Sequence, residues 1–266
     1  MNLIFPQMTG SQRCGVGLLL TVLGFVVVET LFWNNNPALQ HLGDVFNTPS
    51  WIEPLGTDQF GRSNFARLST ALQTSTLMAI LCVLTSATAG VALGVLAGWK
   101  RGWIDRVLSM IVHILLAVPG LVLVLLFGAL VPGSFFILYV AISAVLWIEY
   151  FRVIRARTMT VMALPEVEAS QLYGFGPGYI FKRHLWPSFK KDVYTLACFG
   201  CGTAVLSLAS IGFVYVGLRP PHAELGMMMV ELFPYYSDAP WVLLQPLVAV
   251  CLLVLGFHLI AGGQRD

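Results

Sequence analysis

Hydrophobic and polar positions in this chain do not alternate; they gather into long apolar blocks separated by short polar segments. The first block runs from Gly15 to Trp33, and others cover about 74–99, 107–131, 135–151, 193–217 and 241–261. A hydrocarbon layer about 30 Å thick needs roughly 20 apolar residues in a helix, so the pattern predicts an all-α membrane protein with about six transmembrane helices. The fourth block is the shortest, and Pro132-Gly133-Ser134 alone separates it from the third, which predicts a tight hairpin. Glu29 and Glu149 fall near predicted span ends, where interface exposure lowers the cost of a charge. In the second block Ala87, Gly90, Gly94 and Gly98 recur at close spacing. Small residues four apart let membrane helices approach, and ordinary bundle packing accounts for them.

Composition agrees, with 57% hydrophobic and 11% charged residues, far from a soluble average. The five cysteines fall within or beside apolar blocks, unlike a secreted disulfide framework. The first block follows Arg13 without a small-residue cleavage site after it, so 1–34 reads as an uncleaved signal anchor. Segment 35–73 is then the longest outer loop. With the N-terminus inside, twelve of the fifteen Lys and Arg residues lie in inner segments and three (Arg62, Arg67, Arg219) in outer ones. That asymmetry predicts that both termini are cytoplasmic.

The longest polar stretch, 152–191, is also inside. Pro165 suits the first position of a helix, Glu166 and Glu168 suit its first turn, and Gly174 is placed to end it. A helix of about nine residues is marginal alone in water, so it is expected to dock onto something, another protein being one candidate. Outside, Leu55-Gly56-Thr57-Asp58-Gln59-Phe60-Gly61-Arg62 predicts turns at Gly56 and Gly61. Thr57 or Asp58 is expected to cap a short surface helix leading into the second span. Arg62 and Arg67 either meet a partner or stay solvated.

No phosphate-cradling Gly-x-x-x-x-Gly-Lys-Ser/Thr run occurs, nor Gly-x-Ser-x-Gly, nor His-Glu-x-x-His. No catalytic residue, cofactor, metal centre or nucleic-acid partner is expected. His113, inside the third block, is a candidate pathway residue that could meet a metal or a peptide terminus. A histidine hydrogen-bonded within the bundle is the plainer reading. Cys198 and Cys201 could share a soft metal on one helix face, but small packing residues are the plainer account. Met227-Met228-Met229 reads as packing before copper, and His222 with Glu224 as a solvated outer loop before a docking site.

Several of these stretches together resemble ABC importer permeases of the dipeptide, oligopeptide and nickel class. Leu55 to Arg62 resembles that class's outer signature, with Ser63 where members commonly have Asp. Glu168-Ala169-Ser170, three residues and Gly174 resemble the Glu-Ala-Ala loop shared by ABC importer permeases, with Ser170 in the third place. Arg183-His184-Leu185-Trp186-Pro187 is similar to the ending of that loop. Val216-Gly217-Leu218-x-Pro220-Pro221 with Glu224-Leu225-Gly226, and Phe257 to Asp266, are similar to the class's last outer loop and terminal segment. Asp105 and Pro119 also match, whereas His113 stands where many members carry Asp.

The resemblance implies a type I ABC importer permease bundle, with 74–266 as permease core and 152–191 as coupling loop. It implies that this chain is the second, shorter-looped permease of a heterodimer in the bacterial inner membrane. Two cytoplasmic ATPases would bind the Glu168–Gly174 helices, and an extracytoplasmic binding protein would deliver peptides, or nickel and metal chelates. His113 tilts the reading slightly toward metal, while peptide is the class default. A proton-coupled secondary carrier would instead place ionisable groups near mid-membrane, and a membrane-embedded hydrolase would need a nucleophile with a base beside it.

Overall fold

The computed structural model describes residues 9–218 and 222–262. Helix α1 (Gly10–Val28) continues through a π-helical turn at Glu29–Trp33. An irregular outer loop then leads to α2 (Asn64–Lys100), followed by α3 (Gly102–Leu116) and α4 (Gly120–Leu130). Next come α5 (Phe135–Val161), the short α6 (Pro165–Leu172) and α7 (Pro177–Ile180), and α8 (Trp186–Phe213). The chain closes with α9 (Leu225–Leu232) and α10 (Pro240–Gly262). Five helices are long and apolar enough to cross a membrane, and six spans result if α3 and α4 count as one bent span.

The third block is therefore not the single straight helix expected over 107–131. α3 and α4 meet at 82°. Pro119 lacks the N–H that would continue the ladder and disfavours helical backbone at Val118. The fourth block also departs from expectation. Its helix does not stop at 151 but runs 27 residues to Val161. Hydropathy ends where Arg152 begins the basic stretch, while the backbone has no reason to stop there. Glu149, expected at a span end, sits well inside a helix. The hairpin between the third and fourth blocks forms as expected, with Gly133 at φ 83 and Ser134 capping α5 through the N–H of Ile137.

The centre of the bundle is the pair α2 and α5, which run in the same direction. One stripe of α2 (Cys82, Ser86, Gly90, Gly94, Gly98) faces α5. Ser86 donates to the carbonyl of Ser143 at 3.0 Å. A Cβ added to Gly90 would lie 2.4 Å from the Cβ of Tyr150, and one on Gly98 would lie 2.7 Å from that of Thr158. Backbone contact this close is the use that membrane helices make of small residues. Gly15 on α1 lies against Gly256 and Ile260 on α10. The start of the described chain and its end thus lie side by side, at the end of the bundle that carries Lys100 and α6.

Candidate functional site

Two places gather the polar residues singled out in the sequence, one at each end of the bundle. At the basic end, α6 is built as an elbow. Pro165 occupies its first turn, and Glu166 and Glu168 stand exposed there. Val167 points the other way and is fully buried. It seats in a cluster made by Ile154 and Val161 of α5, Ile180, and Leu185 and Phe189 at the start of α8. The end of α6 is a complete Schellman turn. Gly174, at φ +81, donates to the carbonyl of Gln171 at 2.9 Å, and Phe175 donates to that of Ser170 at 3.1 Å. No neighbour lies within 4 Å of a Cβ added there, so backbone conformation alone demands glycine.

The Ser170 hydroxyl donates to the carbonyl of Glu166 and lies 3.1 Å from His184 Nε2 on the returning chain. Beyond the turn, Leu172 and Tyr173 are each 83% exposed, and Phe175 stacks on Tyr179 with ring centres 4.3 Å apart. This leaves an exposed apolar rim next to Lys182 and Arg183. Arg157 pairs with Asp192 at 2.8 Å and Arg155 with Asp105, tying α5 to α8 and to α3.

At the far end, Leu55 to Arg62 is a clasp rather than the start of a helix. Neither Thr57 nor Asp58 caps α2. Ser63 does, accepting from Ala66 N–H at 3.4 Å. Asp, which the class commonly has just after the Arg, is an equally good cap. Thr57 instead donates to the Asp44 carbonyl and accepts from Asn47 N–H. Gly56 and Gly61 both have positive φ, and a Cβ on Gly61 would fall 1.8 Å from the carbonyl oxygen of His41.

Asp58 is fully buried and accepts from the N–H groups of Phe60 and Arg62, from Arg62 Nε at 2.6 Å and from Arg67. Both arginines also grip Glu231 of α9, Arg62 at 2.9 Å. Arg62 and Arg67 are therefore neither solvated nor free for a partner. Glu231 had no signal in the sequence, being 169 residues from Arg62.

Glu224, expected on a solvated loop, is fully buried and caps α9 through the N–H groups of Gly226 and Met227, each at 2.9 Å. His222 is exposed as expected. Met228 and Cys201 pack in the core. His113 is exposed on α3 with no side-chain hydrogen bond among the described residues, so it is not bonded within the bundle. Among the described residues no three His, Cys, Asp or Glu side chains gather as metal ligands. Arg219, Pro220 and Pro221 of the last outer motif, and Gly263 to Asp266 of the terminal one, lie outside the described residues.

A bundle of five or six spans with a short exposed helix at its basic end is the architecture of a multi-pass membrane protein. The chain belongs to the family of binding-protein-dependent transport system inner membrane components, whose model matches residues 90–263. It is 29% identical over 265 residues to the dipeptide transport system permease protein DppC of Alkalihalophilus pseudofirmus, covering 98% of this chain and 87% of that one. It is 30% identical over 218 residues to the glutathione transport system permease protein GsiD of Pectobacterium atrosepticum, covering 82% and 72%. A putative peptide transport system permease protein of Brucella suis is 28% identical over 256 residues, covering 96% and 86%. The chain is thus a multi-pass permease subunit of an ATP-driven importer. It is not itself an enzyme, and an ATPase, a binding protein and a membrane complete the system.

Proposed function

We propose that this permease imports short peptides, and that α6 is where a cytoplasmic ATPase pushes on it. The single observation behind the coupling role is the seat of Val167, which fuses an exposed helix to the ends of two spans. Glu168, Ala169, Ser170 and Gly174 form the exposed elbow and its turn. A displacement of α6 reaches α5 and the start of α8 through the Val167 seat and the Ser170–His184 contact. It moves α5 and α8 together, because close-packed clusters transmit strain. Gly56, Thr57, Asp58, Gly61 and Arg62 hold the outer loop against α9, giving the outer mouth a fixed rim.

The reading extends to the assembly. The chain pairs with a homologous second permease as the shorter-looped member of a heterodimer, each permease taking one ATPase. It lies in a bacterial inner membrane with its basic end in the cytoplasm. The anchor over 1–34, the outer segment over 35–73, whose residues from Asn64 already belong to α2, and the permease core over 74–266 are its functional divisions. Three relatives named for dipeptide, glutathione and peptide transport support peptide as cargo. Nickel or a metal chelate is the second reading, motivated only by His113. Uptake of labelled dipeptide and of labelled nickel, with and without chelator, separates the two in cells lacking this chain. Loss of dipeptide uptake, restored by the gene, is expected. Loss of nickel uptake alone would overturn the peptide reading.

A further inference from the structure

Helix α5 carries four charged side chains, Glu149, Arg152, Arg155 and Arg157. The last two are ion-paired. Glu149 and Arg152 are both exposed, and neither has an ion-pair partner among the described residues. Three residues apart, they share one face of the helix. Glu149 lies at the level of Gly90, which contacts Trp147, Tyr150 and Phe151. Gly90 is ten residues from Lys100, where α2 ends, or about 15 Å along the helix. A carboxylate at that depth does not face hydrocarbon; it faces water, a partner group or a passing solute.

What it faces in this chain is a cavity of ≈ 430 Å³ between the end of α3, α4, α5 and α8. Glu149 and Arg152 line it on one side, and the hydroxyl residues Thr203, Ser207 and Ser210 line it from α8. The volume lies in the range of about 300–1,000 Å³ common for small-ligand sites. An acid, a base and a row of hydroxyls within an otherwise apolar wall match a small zwitterion. We propose that Glu149 and Arg152 are the cargo-contact residues of this permease within the membrane. Glu149 receives the ammonium end of a short peptide and Arg152 its carboxylate, while Ser207 meets the peptide bond and the Thr203 and Ser210 hydroxyls, which already donate to the Phe199 and Leu206 carbonyls, accept from its N–H. The charged wall and the hydroxyl wall belong to helices that also reach the Val167 seat, which links the site to α6.

This rests on the peptide reading above, and the test keeps the two apart. The complete importer, with its second permease, ATPases and binding protein, is reconstituted, and uptake of labelled dipeptide is measured for Glu149→Gln and Arg152→Gln. Each variant is expected to assemble and to lose uptake by about ten-fold or more, the scale of one charge-assisted contact. A Ser207→Cys variant without the native cysteines is expected to react with a charged, membrane-impermeant thiol reagent, and dipeptide is expected to slow that reaction during turnover. Uptake at the unaltered rate in both charge variants would overturn the proposal. So would dissociation of the importer in Glu149→Gln, which would make the charge a contact between permeases, and so would a Ser207→Cys thiol indifferent to dipeptide. An unaltered importer that carries no dipeptide would instead refute the cargo reading beneath it.

Discussion

Asp58 shows why a single side chain can matter at the far end of this molecule. It is buried beneath two arginines whose other contact is Glu231. Buried ion pairs gain little over an apolar equivalent, but removing one partner strands the other charge at a cost of about 3–5 kcal/mol. Asp58→Ala is expected to lower the unfolding temperature of the detergent-purified protein by several degrees; an unchanged Tm would contradict the clasp. Glu224 gives a pH signature. Burial pushes its carboxyl from the ordinary 4.5 up to about 7, against the pull of the Gly226 and Met227 N–H groups. The folded protein therefore holds this proton more tightly than the unfolded chain. Its contribution is complete below about pH 4.5 and is lost as pH rises through 7. Thermal unfolding across that window is expected to show a fall in Tm that is flattened in Glu224→Gln. Parallel curves for the two proteins would remove Glu224 as the cause.

Among elements, the α2 stripe makes the sharpest contrast. Gly90→Leu drives a side chain into Tyr150 and the Trp147 carbonyl, whereas Gly17 has no neighbour within 4 Å of an added Cβ. Overpacking commonly costs about 1–3 kcal/mol, and a Cβ clash against backbone leaves little room to adjust. Gly90→Leu is expected to yield aggregated or degraded protein and Gly17→Leu a monodisperse peak on size-exclusion chromatography. Equal behaviour of the two would refute close α2–α5 contact. The glycines of this stripe were legible in the sequence because four-residue spacing is a local property, and so were α6 and most of the spans; Ala87 was read with them, but Ser86 holds that level against α5. Pro119 was visible too, yet the 82° bend was not, because hydropathy reads through a proline without registering direction. The end of α5 was missed for the opposite reason: polarity changes at Arg152 while the helix continues. The partnership of Asp58, Arg62 and Arg67 with Glu231 joins distant segments, and no periodicity records such a meeting. It left the two arginines undecided until the fold brought α9 beside them.

At the scale of the whole molecule, the account is one of transmission. The exposed elbow of α6 is fixed by Val167 to α5 and α8, the two helices that flank the Glu149 cavity. Gly174 sets the direction in which the chain leaves that elbow, and at φ +81 a β-branched residue is strained whatever the space around it. The most direct measurement is dipeptide uptake and ATP hydrolysis recorded together in vesicles holding the full importer, with and without Gly174→Val. The account predicts that the altered chain enters the membrane and that hydrolysis continues while uptake is lost. Uptake at the unaltered rate per ATP hydrolysed would contradict it.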